Sequence, residues 1–361
     1  TGCSWIGTDV KELLYLSHRI PYPPNNGDKI RSYHLLRRLA ERWTVHLGTF
    51  IDDKSDWQYT ADVSAICGET KYVALNPKTA KMRALRGLVG GSSLTMPYYR
   101  SGELKRWVDE LVRTREISCI VVISSSMAQY TMQLPGGTVR TVVDFCDMDS
   151  DKWRQYSETD TGIKRWVYGR EADRLRHEEA DVARACDASV FLSSEECEVF
   201  CNQTQTPESS VFTVPNGVDT SFFDPGEAYD DPFDAAIAPV VFVGAMDYWP
   251  NIDAVKWFAD SVVPALRESD PSVEFYVVGS NPSDDVIALG ERDGITVTGR
   301  VDDVRPYLKH ARCVVAPLRI ARGVQNKVLE AMAMGKPIVG TKAALEGIRL
   351  VDEVGVDVCC L

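Results

Sequence analysis

The sequence predicts an α/β protein of two Rossmann-like domains, each a parallel sheet wrapped by helices. At 361 residues the chain exceeds what one hydrophobic core usually organises. Short β-rich bursts alternate with segments of helical period through both halves, the pattern of βαβ units. In the second half, strand-like runs end in glycine at Gly244, Gly279, Gly299 and Gly340, where an open parallel sheet lets ligands approach strand ends.

The first half opens with the apolar run KELLYLSH, a Pro/Asn/Gly loop, and DKIRSYHLLRRLAERW. There Ile30, Tyr33, Leu36, Leu39 and Ala40 recur at helical spacing and Asp28 is placed to cap. TVHLGTF, ISCIVVIS and TVVDFCD read as further strands. Residues 151–187 read as one long helix or two shorter ones. DASVFLSSEECEVF gives a strand and a helix with Ser193 and Glu196 at capping-box spacing, and SVFTVPNGVD closes the half. The expected division is residues 1–221, a linker over 222–238, and 239–361. In the second half PVVFVGAMD, VEFYVVGSNP, ITVTGRVDD, CVVAPLR and PIVGT read as strands, with one amphipathic helix over NIDAVKWFADSVVPALRE. The end, VGVDVCCL, is strand-like without a closing helix, so the second domain is expected to be truncated there.

Forty basic against fifty-two acidic side chains give a net charge of −12, which argues against nucleic acid as a partner. Ten cysteines contain no Cys-x-x-Cys pair, and most flank apolar runs, so reduced thiols in a cytoplasm are expected rather than a metal site. No apolar stretch reaches the ~18 residues of a membrane span, and residues 1–12 lack the pattern of a secretory signal.

The most informative segment is RGVQNKVLEAMAMGKPIVGT, residues 322–341. A helix starting near Val324 would direct free N–H groups and the charge of Lys327 at an anion such as a diphosphate. Glu330 would lie one turn further on the same face, where a carboxylate suits two neighbouring hydroxyls. A solvated surface helix is the bland alternative. Gly27, with Asn26 and Asp28, sits in the loop after the first strand, and Lys29 and Arg31 face either an anion or solvent. Asp144, Asp147 and Asp149 follow a strand at its C-terminal end, and His18 is either a proton carrier or structural. Asp247 and Asn251 follow the strand ending at Gly244. Asn216 and Gly217 fit turn geometry first.

The PNGVD turn and the Gly-x-x-x-Lys-x-x-Glu-Ala-Met-Ala-x-Gly-x-Pro segment together resemble the GT-B glycosyltransferases of family 4, from about Glu12 to the last residue. PYPPNNGDKIRSYHLLRRLA, VDFCDMDSDKW and VTGRVDDVRPYL are more narrowly similar to bacterial sugar transferases associated with PEP-CTERM/exosortase exopolysaccharide loci. The resemblance implies two domains facing each other across a cleft. It implies a retaining glycosyltransferase of hexosyl type, moving sugar from a nucleoside diphosphate sugar to a glycan or lipid-linked hydroxyl, without a cofactor or required metal. It places the protein in the cytoplasm, with room for peripheral association at the inner face of the plasma membrane.

The resemblance gives Glu330 the ribose and places Gly27, Asn26, Gly244, Asn251, Gly323, Gln325, Asn326 and Lys327 against the donor. His18, Lys29, Arg31, Asp144 and Asp147 fall on the acceptor side. The chain departs from the pattern twice. The first glutamate of E-x7-E is Arg322, and the phosphate-clamping arginine and lysine are absent around Gly244-Ala245-Met246. Arg322 and Lys327 are expected to supply that charge and, with Glu330, to carry catalysis. A nucleotide-sugar epimerase on the same fold and a non-catalytic nucleotide-sugar-binding protein are the alternatives. A dinucleotide oxidoreductase is disfavoured, since no Gly-x-Gly-x-x-Gly follows a strand.

Overall fold

The computed structural model describes residues 11–24, 27–134, 139–321, 324–348 and 358–360. The chain divides into two compact units, Thr1–Val214 and Pro215–Leu361.

The first unit is a seven-stranded parallel sheet in the order β3-β2-β1-β4-β5-β6-β7. Its strands are β1 (Glu12–Ser17), β2 (Thr44–Ile51), β3 (Thr70–Ala74), β4 (Ile117–Ile123), β5 (Arg140–Cys146), β6 (Ala188–Phe191) and β7 (Val211–Thr213). β1 pairs with both β2 and β4, so the winding reverses beside it. Leu13 to Leu16 are all but fully buried, as expected of a central strand covered on both faces. Around the sheet lie α1 (Gly27–Ala40), α2 (Thr60–Ser64), α3 (Pro77–Gly90), α4 (Thr95–Tyr98), α5 (Gly102–Thr114), α6 (Asp149–Thr159), α7 (Gly162–Ala185) and α8 (Ser194–Thr204).

Three glutamates of α7 are used structurally. Glu171 accepts from the Leu94 and Thr95 amides, and Glu178 from the Ser93 amide. Glu179, wholly buried, takes the Ser150 amide at 3.1 Å and the Ser150 hydroxyl at 2.5 Å. These contacts satisfy N–H groups at the starts of α4 and α6 that no helix bond can reach.

The second unit is a six-stranded parallel sheet in the order β10-β9-β8-β11-β12-β13. It comprises β8 (Ala238–Val243), β9 (Val273–Val278), β10 (Ile295–Gly299), β11 (Cys313–Ala316), β12 (Ile338–Gly340) and β13 (Val358–Cys360). Its helices are α9 (Trp249–Ser261), α10 (Val263–Ser269), α11 (Asp284–Ile287), α12 (Arg305–His310) and α13 (Asn326–Ala333). The winding reverses between β8 and β11, which makes their C-terminal ends the switch point where open α/β sheets bind ligands. Phe223, Tyr229 and Phe233, from the stretch expected to be a linker, pack on this unit's core.

Local expectations hold with particular corrections. The single helix expected after β8 is two, because Pro264 has no amide to continue α9 and Val262 ends it. Residues 151–187 form two helices, α6 and α7, with Gly162 in the left-handed region at their junction. Asp28 is the second residue of α1 rather than its cap. The Ser193 hydroxyl does cap α8, accepting from the Glu196 amide at 3.2 Å. Cys67, Cys119, Cys146, Cys186, Cys197, Cys201 and Cys313 are unpaired and half-buried.

Candidate functional site

The second unit's site is built at the switch point. Gly244 follows the end of β8, its amide donating to Val278 O, and Gly279 follows β9 directly alongside. A Cβ on Gly279 would stand 1.7 Å from Gly244 O, so only glycine lets the two strand ends approach this closely. A Cβ on Gly244 would lie 2.8 Å from Asn251 Nδ2 and 3.1 Å from Lys327 Nζ. Gly244, Asn251 and Lys327, separated in sequence, therefore meet at one point.

Asn251 is buried in the first turn of α9, and its amide nitrogen donates to Ala245 O at 2.8 Å. That bond orients Oδ1 outward, where it accepts from Lys327 Nζ at 2.6 Å. The ammonium also stands 4.2 Å from the centroid of the Phe242 ring, a cation–π contact. Burial lowers the Lys327 pKa to about 7, with Glu330 opposing the shift. Burial likewise raises Glu330 to about 7, opposed by Lys327. The two residues retain partial solvent contact. Each is thus poised near neutrality, as perturbed groups at functional sites often are.

Lys327 and Glu330 lie one turn apart on α13. Its cap residue Gln325 is extended, and among the described residues no side-chain hydrogen bond caps that terminus. The amides of the first turn, the dipole and Lys327 together present positive potential at the end of β8. Asn326 Oδ1 accepts from Asn216 Nδ2 at 3.1 Å, joining the PNG turn to the α13 terminus. Asp247 holds Asn281 Nδ2 at 3.0 Å. The sequence reading did not foresee the Asn216 contact or the Phe242 ring; an asparagine at a turn and an apolar strand residue carry no local mark of either role. Arg322, Gly323 and Asn26 lie outside the described residues.

In the first unit the residues expected on the acceptor side are engaged in ion pairs and hydrogen bonds of their own. His18 Nε2 lies 3.2 Å from Asp28 Oδ2, and Arg19 approaches both Asp28 and Asp52. Burial works against the Asp28 carboxylate, but the His18 hydrogen bond and the charges of His18 and Arg19 outweigh it and hold its pKa well below the usual range. Lys29 is buried in a 2.7 Å pair with Asp56, and Arg31 in a 2.7 Å pair with Asp144. Asp147 and Asp149 share Lys152, at 2.5 Å and 3.7 Å. Gly27 is the first residue of α1. Among the described residues no three His, Cys, Asp or Glu side chains converge to hold a metal ion.

These two parallel-sheet units have the GT-B fold, shared with solved glycosyltransferase structures. Anabaena HepE in complex with UDP aligns with TM-score 0.64 at 14% identity, covering 97% of this chain and 85% of that one. Sucrose-phosphate synthase from Thermosynechococcus elongatus aligns with TM-score 0.65 at 16% identity, covering 93% and 83%. WaaG, a glycosyltransferase involved in lipopolysaccharide biosynthesis, aligns with TM-score 0.60 at 15% identity, covering 92% and 81%. Residues 238–359 match the family model described as glycosyl transferases group 1. In sequence the chain is 22% identical over 200 residues to an uncharacterized 44.6 kDa Klebsiella pneumoniae protein in the cps region, covering 53% of this chain. The match spans 48% of that relative, about half its length.

Proposed function

We propose that the protein is a retaining glycosyltransferase that moves a sugar from a nucleoside diphosphate sugar to a hydroxyl of a glycan or lipid-linked acceptor in bacterial exopolysaccharide assembly. The observation that carries this reading is the Lys327 ammonium, held by Asn251 Oδ1 against Gly244 at the sheet's switch point. The diphosphate would lie across the α13 terminus and Lys327, with the ribose hydroxyls on Glu330. Gly244 would give the backbone close approach, as the sequence motif expects of Gly323, while Asn326 and Gln325 would border the phosphates. HepE was solved with UDP and with UDP-glucose, which makes a uridine diphosphate sugar the first donor to test. The polysaccharide setting is supported by the cps region of the Klebsiella relative.

In the transfer the bond between the anomeric carbon and the phosphate oxygen breaks, and the acceptor oxygen bonds to that carbon on the same face. The departing diphosphate takes the acceptor's proton. Lys327, with Arg322, would stabilise the charge accumulating on the diphosphate, and no metal is required. No helix among the described residues is long and apolar enough to cross a membrane, so a lipid-linked acceptor would be met by peripheral association at the inner face of the plasma membrane.

A panel of UDP-, GDP- and ADP-sugars, with magnesium or with EDTA, read by calorimetry and product analysis, tests the proposal. Donor-dependent transfer with retained anomeric configuration is expected, equal in EDTA, and reduced in Arg322→Ala and Lys327→Ala. Conversion of the donor sugar without acceptor identifies an epimerase, and tight binding without turnover a non-catalytic protein. Near-normal turnover in both variants rejects the assigned charge roles.

A further inference from the structure

The α6–α7 hairpin of the first unit takes no part in the donor site, yet it carries a cavity of about 720 Å³. The cavity is lined by Trp166, Arg170, Asp173, Arg174 and His177 of α7, with Ser157 of α6 opposite. On α7, Ile163, Trp166, Arg170, Arg174 and His177 repeat at three- and four-residue spacing and so share one face. At the tip of that face Ile163 is 83% exposed and Trp166 63% exposed, unusual for side chains of this size. Lys164 and Arg165 flank them and are exposed as well.

Charge decides what such a surface meets. The whole chain is −12, yet residues 162–177 contain five lysines or arginines against two acids, while on the α6 side of the tip stand Asp160 and Glu158, the latter paired with Arg154. Of the two acids in that stretch of α7, Glu171 is buried and bonded to the Leu94 and Thr95 amides, and Asp173 lies 3.3 Å from Arg176. Among the described residues Lys164, Arg165 and Arg174 form no salt bridge, so their charge faces outward. Arg170 donates to Gly87 O and Ser92 O and so anchors α7 to the end of α3. On α3, Met82 and Leu85 are also turned to solvent, at 64% and 58% exposure, with Lys78 and Lys81 one turn before them. An exposed indole and isoleucine among uncompensated cations is the composition of an interfacial membrane anchor, with apolar groups inserting at headgroup level and cations meeting anionic lipid.

We propose that the tip of the α6–α7 hairpin docks the protein on an anionic lipid bilayer, Ile163 and Trp166 entering the interface while Lys164, Arg165 and Arg174 bind headgroup phosphates. This names the element behind the peripheral association proposed above, and its test does not depend on the donor reading. The protein is sedimented with vesicles of phosphatidylcholine alone and of phosphatidylcholine with about one third phosphatidylglycerol. Wild type is expected to bind the anionic vesicles, to bind neutral ones weakly, and to be released by high salt.

Each basic residue near an anionic surface contributes about fivefold in affinity, so Lys164→Glu with Arg165→Glu should weaken binding by at least about tenfold. Ile163→Ser with Trp166→Ser should weaken it comparably, while circular dichroism and UDP binding in both double variants stay as in wild type. Equal binding to neutral and anionic vesicles overturns the proposal, as does wild-type binding by both variants. Displacement from the vesicles by millimolar inorganic phosphate would assign the cavity to a free anion and also overturn it. Loss of UDP binding in wild type with vesicle binding intact would sink the donor reading alone.

Discussion

Lys327 Nζ and Asn251 Oδ1 stand 2.6 Å apart, and a second bond, from Asn251 Nδ2 to Ala245 O, prevents the amide from turning away. The lysine thus meets a neutral amide and the Phe242 ring. Below about 7, where the lysine is charged, that charge is open to an incoming anion. Lys327→Ala is expected to weaken UDP binding by about 10- to 100-fold, the worth of one charge-assisted hydrogen bond of about 1.5–3 kcal/mol. Calorimetric titration of the folded variant reads this directly.

The pH dependence of nucleotide binding follows from Lys327 and Glu330, whose burial shifts both toward neutrality. Below about 7 Glu330 is protonated and would lose acceptor capacity for the ribose hydroxyls proposed to meet it; above about 7 Lys327 loses its charge. UDP affinity should therefore peak near neutrality. Asn251→Asp adds an anion beside Lys327, so the alkaline limb should move to higher pH even as peak affinity falls. An unmoved limb in that variant would show that Asn251 does not govern the lysine's proton.

Glu179 offers a stability test away from the site. Burial raises its pKa to about 8, with the Ser150 hydrogen bonds opposing. The folded pKa exceeds the unfolded value near 4.5, so the folded state binds more protons between those values. Its stabilising contribution is complete below about 4.5 and is lost as pH rises through about 8. Tm should fall across that interval in wild type and fall less in Glu179→Gln, as measured by thermal denaturation at several pH values.

The close approach of the two strand ends at the site predicts a cost for one added methyl group. In Gly279→Ala the new Cβ would collide with Gly244 O, so about 1–3 kcal/mol of stability should be lost as backbone shifts to make room. UDP binding should weaken with it, because Gly244 borders both Asn251 and Lys327. Chemical denaturation and titration of the same sample separate the two effects.

Much of this arrangement was legible before the structure. The glycine-ended strands and the Lys-x-x-Glu helix follow from short-range patterns, since strand period, helix period and turn chemistry are local. What could not be read is long-range. Nothing near Asn251 says that its amide meets a lysine 76 positions later. Lys29 and Arg31 show the same limit from the other side: as cations after a loop they were open to an anion or solvent, yet each is buried against an aspartate, and Asp144 is 113 positions from its partner Arg31. The break between α9 and α10 was visible as Pro264, but the apolar periodicity on both sides masked it.

The most direct test of the account is a crystal structure with a uridine diphosphate sugar bound. The account predicts diphosphate oxygens within hydrogen-bonding distance of Lys327 Nζ and the first amides of α13, with the ribose hydroxyls on Glu330. A fully occupied nucleotide lying elsewhere, with Lys327 still bonded only to Asn251, would contradict it.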